Sequence, residues 1–196
     1  MANFRAITAV TDAIAQLLTS QVGLSGIGDP LEFEVYTAAN FATPMAQGVS
    51  IFLYRIYANS TQRTPPGRLL PNGRRQPAML PLDLHFLLTA WAEDASLQHL
   101  IAAWMMRTLQ DTPSLPAGLL NHRFANTFHD DETVEITIAE LTTEELFEIW
   151  EVVARNTYQL SVPYVARNVR IESTQSQIEA GPVQERLLDY RALVRE

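Results

Sequence analysis

His122, His129, Asp130 and Asp131 carry the side-chain types of a metal site, but they match no fixed ligand signature. A polar loop is the simpler reading of them. Asp83 and His85 alternate on one strand face and so can interact as an acid–base pair. No nucleophile or oxyanion donor can be named beside them, which leaves the pair without a reaction. Gly23, Gly26 and Gly28 follow a helical pattern and precede a strand, the reverse of the order a dinucleotide loop requires. Ser25, in GLSGI, lacks the second glycine of a nucleophile elbow. Trp91, Trp104 and Trp150 read as core aromatics rather than a stacking platform. Nothing here assembles an active site, metal centre or cofactor pocket.

These side chains must be held by elements whose periods can be read directly. Asn3 is placed to cap a first helix with Phe4, Ile7, Val10, Ile14 and Leu17/Leu18 on one side. Strands are expected over 31–36 and 49–57, the second apolar on both faces and therefore interior. In LPLDLHFLLTAW, Leu82, Leu84, Phe86 and Leu88 form one apolar face of a third strand. After Glu93-Asp94 the period changes to helical, with Leu97, Leu100/Ile101, Trp104/Met105 and Leu109 on one stripe. Residues 111–130 have no clear period and read as irregular.

Val134, Ile136 and Ile138 predict a one-sided strand over 133–139. Thr142 and Glu145 then form a capping box, opening a helix with Leu146, Ile149, Trp150 and Val153 buried and Glu144, Glu148 and Glu151 outward. The last strand, 158–172, contains Pro163, which predicts an edge position or a bulge and a register switch there. Its residues Tyr158, Leu160, Val162 and Tyr164 are therefore the candidates for pairing with a neighbouring chain. The expected fold is α+β: one domain over 1–175, a mostly antiparallel five-stranded sheet, and about three helices packed on one face. Residues 58–81 form a long loop rich in Arg, Pro and Gly, and residues 176–196 form an appendage.

Composition excludes several classes. Apolar residues at 47% and charged residues at 18% suit a folded globular protein. No apolar run is long enough to span a membrane, no signal peptide is evident, and cysteine is absent. A net charge of −8 argues against nucleic acid as a partner. All 14 basic residues are Arg, which a GC-rich coding bias explains most simply. The charge is segregated along the chain. Asp130 to Glu151 holds nine acids and no base, whereas Arg55, Arg63, Arg68, Arg74 and Arg75 lie in a 21-residue stretch without an acid. In a cyclic ring two different patches of each subunit meet, and opposite charges register such contacts. In a lone monomer the cationic stretch reads as an ordinary solvated surface loop, whereas in a ring Arg63, Arg68, Arg74 and Arg75 are the candidate cationic side of an interface. Asp130, Asp131, Glu132, Glu144, Glu148 and Glu151 are the candidate anionic side.

Three blocks in order carry a family resemblance: VSIFLYRIYANSTQR (49–63), PLDLHFLLTAWA followed by WMMRTLQDTP (81–113), and ELTTEELFEIWEVVARNTYQLSVPYVARNVRIES (140–173). Together they resemble the tail-terminator (cap) proteins of extracellular contractile injection systems, which are phage-tail-like particles. The resemblance implies a homohexameric ring on the baseplate-distal end of an inner tube, contacting tube and sheath proteins and using no cofactor. It also implies assembly in the bacterial cytoplasm, followed by release within the particle. An adaptor subunit at the baseplate or tube end of the same machine is the alternative.

Overall fold

A computed structural model describes residues 2–24, 26–27, 30–59, 79–155 and 157–173. Arg63, Arg68, Arg74 and Arg75, Ser25 and Gly28, and the expected appendage at 176–196 lie outside the described residues.

The elements run α1 (Ala6–Gln21), β1 (Glu32–Tyr36), β2 (Gly48–Ala58), β3 (Met79–Trp91), α2 (Ala95–Asp111), β4 (Ser114–Pro116), α3 (Ala117–Leu120), β5 (Thr133–Ile138), α4 (Thr143–Val153) and β6 (Ser161–Glu172). Short 3-10 helices occupy Val22–Leu24 and Ala38–Ala42. One sheet contains all six strands in the order β1-β2-β3-β6-β5-β4. Every pairing is antiparallel except β1 with β2. The α+β expectation holds, with one strand and one short helix more than the periods indicated. Both additions come from the segment read as irregular. There Leu115 and Leu120 enter the core, and Asn121 organises the turn that follows. Its Oδ1 accepts the N–H groups of Thr127 and Phe128, both at 2.9 Å. A three-residue strand is too short to show a period.

The first face of the sheet carries α1 and α2. Val10, Ile14 and Leu18 of α1, and Ile101, Met105 and Leu109 of α2, pack on Val49, Ile51, Leu84, Phe86 and Leu88. Helix α1 begins at Ala6, two residues later than an Asn3 cap implies. Asn3 instead accepts the Arg5 N–H at 2.9 Å, leaving Phe4 exposed. Helix α4 packs on the opposite face, against the expectation of one helical layer. There Trp150 (3% exposed) meets Phe41 edge-on at 5.4 Å, together with Tyr36, Leu87 and Trp91. Aromatic pairs of this kind add about 0.5–1.5 kcal/mol beyond their buried area. The hint was in β3: Leu87 and Trp91 are apolar at positions facing away from the first core, so that face also needed a cover. Four of its buried polar side chains pair, Trp91 Nε1 donating to Ser50 Oγ at 2.8 Å and Thr89 Oγ1 lying 2.9 Å from Ser161 Oγ, whereas the buried Trp150 Nε1 has no hydrogen-bond partner among the described residues.

Strand β6 is not an edge. It lies between β3 and β5, so Val162 and Tyr164 are within the sheet, while Tyr158 and Leu160 precede the strand. The backbone of Leu160 is already engaged, accepting the Ala90 N–H at 3.1 Å. Pro163 is tolerated because its ring nitrogen falls where β5 runs out: β5 pairs only as far as Tyr164, and the Pro163 carbonyl accepts the Ala139 N–H just beyond. The register shift lies elsewhere, opposite Asp83, where Asn168 adopts φ 59°. Asp83 Oδ1 accepts the Asn168 N–H at 2.8 Å and both carboxylate oxygens accept from Asn59 Nδ2, so this carboxylate pins a bulge.

Candidate interaction surface

The capping box of α4 forms as expected: Glu145 N–H donates to Thr142 Oγ1 at 3.2 Å, and Thr142 N–H donates to Glu145 Oε2 at 2.9 Å. The Thr142 N–H, then its hydroxyl, hold the Glu145 carboxyl below its usual range, and the positive charge of Arg55 acts in the same direction. Trp150 anchors the helix to the sheet, while Leu146, Ile149 and Val153 are only half-buried. Glu144, Glu148 and Glu151 face outward, as read. Two further apolar residues share that outer side: Val152 is 86% exposed, and Phe147 is half exposed, edge-on to Tyr158 at 5.2 Å.

Between α4 and the far half of β2 runs a groove of about 460 Å³. Its floor and walls are Phe52, Tyr54, Ile149, Val152 and Val153, and Arg55, Glu145 and Glu148 stand at its rim. Tyr54 projects here because a register shift between Leu53 and Arg55 adds a residue to β2. Its ring lies 6.0 Å from that of His85, and burial raises its pKa. Burial, followed by the charge of Arg55, lowers the pKa of His85, so the neutral imidazole is favoured. No hydrogen bond joins His85 to Asp83, whose carboxylate is taken up by the bulge.

The expected acidic surface is divided. Asp130, Asp131 and Glu132 form a turn before β5, where Glu132 accepts the His129 N–H at 2.9 Å. The α4 carboxylates come after the other end of β5, a strand of roughly 20 Å at 3.3 Å per residue. The two groups are thus separate surfaces. Among the described residues no cluster of three or more His, Asp or Glu could hold a metal ion. No described helix is long and apolar enough to cross a membrane. The groove itself was missed in the sequence. Its one visible trace is that Phe147 and Val152 are apolar residues off the buried stripe of an acidic helix.

Residues 9–185 match the family model described as the Pvc16 N-terminal domain. This chain belongs to that family. The match extends past position 175, where the body of the domain was expected to end. The structure is similar to that of the PVC sheath/tube terminator in the extended state, from an extracellular contractile injection system. That likeness has a TM-score of 0.63 at 18% identity and covers 98% of this chain and 66% of that one. It is also similar to the anti-feeding prophage cap (AFP tube terminating cap), with a TM-score of 0.61 at 15% identity, covering 92% and 60%. At these identities the likeness is one of fold, and the chain spans less than two thirds of either relative. No curated protein matches the sequence.

Proposed function

We propose that this protein is the structural cap of a contractile injection system: a ring on the baseplate-distal end of the inner tube. One face of the ring copies the symmetry of the last tube layer and binds it, and the other offers no surface for a further tube subunit. Contacts with the last sheath layer anchor the sheath's distal end, so that contraction works against a fixed point. Its partners are its own copies, taken as six, with the tube and sheath proteins. It assembles in the bacterial cytoplasm and leaves as part of the particle. It turns over no substrate.

The observation that carries this reading is a fold shared with a sheath/tube terminator over 98% of the chain, within a family that the sequence itself matches. The half-exposed aromatic and aliphatic side chains on α4 suit a protein whose surface is completed by other proteins. The test is deletion of the gene, followed by electron microscopy of particles and labelling of a tagged copy in the complemented strain. A cap predicts tubes of irregular length in the deletion and label at the tip opposite the baseplate. Label at the baseplate would establish the adaptor reading in its place.

A further inference from the structure

The groove between α4 and β2 lacks an occupant among the described residues, and its chemistry is specific about what would fill it. The floor, made by Tyr54, Ile149 and Val153, is apolar, so a purely charged segment would leave it wet. The outer side of α4 is anionic. Glu145 is engaged in the helix cap, but Glu144, Glu148 and Glu151 have no ion-pair partner among the described residues, where the ion pairs are Arg107–Asp111 and Arg123–Asp12. Among the described residues Arg55 is the one cation at the rim, and its guanidinium lies 4.9 Å over the Tyr57 ring. The complementary segment must therefore combine cations with aliphatic residues and be poor in acids.

The chain contains such a segment. Between Arg63 and Arg75 there are four arginines and no acid, and Arg68-Leu69-Leu70 sets two aliphatic side chains beside a cation. We propose that the α4–β2 groove of each copy is the socket for the Arg63–Arg75 segment of the adjacent copy. This rests on the ring reading above, in which a cyclic interface joins two unlike patches. The segment brings aliphatic side chains suited to the groove floor and arginines opposite in charge to Glu144 and Glu148. Exposed ion pairs contribute little singly, so apolar contact supplies the affinity and the carboxylates fix the register. The Asp130–Glu132 turn, beyond the far end of β5, takes no part.

The absence of cysteine makes the test clean. Val152→Cys and Asn72→Cys are made as separate variants, co-assembled into particles and treated with a short bismaleimide. The expected product is a covalent dimer containing one of each variant. A double variant that links only within one chain, or mixed particles giving no dimer although both thiols react with a monofunctional maleimide, would overturn the proposal. A charge swap gives a second reading. Glu144→Arg with Glu148→Arg, or Arg68→Glu with Arg74→Glu, should each lower dimer yield about tenfold at low salt, and the combination should recover most of it. Failure of the swap to recover any yield counts equally against the socket. The position of the label on the particle is read independently. Dimers without label at the distal tip would reject the cap reading alone, and tip label without dimers would reject the socket alone.

Discussion

Gly48 opens β2 with φ +146°, and a Cβ there would fall 2.0 Å from the Glu32 carbonyl oxygen. That close approach is what allows β1 to pair parallel with β2. Gly48→Ala should cost about 2 kcal/mol or more, read as a lowered urea midpoint, because backbone is the atom in the way. Tyr164 is a different case: its hydroxyl is buried with no hydrogen-bond partner among the described residues, and burial pushes its pKa up to about 12. The folded state therefore holds the phenol proton more tightly than the unfolded chain, whose tyrosines titrate near 10. Stability from this group is full below pH ~10 and is lost as pH rises towards ~12. Tyr164→Phe should raise the melting temperature at neutral pH by removing an unsatisfied group, and should flatten the loss of stability in that alkaline window. A wild-type slope retained in the variant would show that some other group is responsible.

Helix α4 depends on its first turn more than its length suggests. It has 11 residues, only Trp150 is fully buried, and no basic residue offsets the dipole in its last turn. Thr142→Ala removes the reciprocal cap and should destabilise the protein by about 1 kcal/mol in thermal unfolding. The effect should be felt first at the groove, which α4 walls, so limited proteolysis near residues 141–153 should accelerate before global unfolding does. Two other elements are likewise pinned by single side chains. Asp94 caps α2 by accepting the Leu97 N–H at 2.9 Å, and Asp83 holds the β6 bulge. In both cases a carboxylate reads as an ordinary surface acid until the backbone that it serves is seen.

At the scale of the whole molecule the feature that matters is that charge and apolar surface coincide along α4. If copies meet there through arginine and glutamate, assembly must weaken with salt, since screening shortens from about 10 Å at 0.1 M to about 3 Å at 1 M. Particles held at high salt should shed the protein or yield less of the mixed-variant dimer, whereas an interface of purely apolar character would be strengthened or unchanged. Light scattering together with crosslink yield across a salt series checks this.

Period and punctuation were enough to locate every long element, because burying one face of a strand or helix imposes a spacing that shows in one dimension. The interior rank of β2 and the capping box at Thr142 were legible for the same reason, and so was the three-block likeness to terminator proteins. What the sequence could not carry was which strands lie side by side and which face of the sheet each helix covers. Pro163 suggested an edge because a missing N–H usually needs one, yet β5 ends where that N–H would have pointed. The acids between Asp130 and Glu151 formed one run in the chain, but a strand separates them in space. The groove exists only where α4 crosses β2, two segments some ninety residues apart. Local spacing is set by the chain's own geometry, whereas adjacency between distant segments is decided by how the packed layers close over one another.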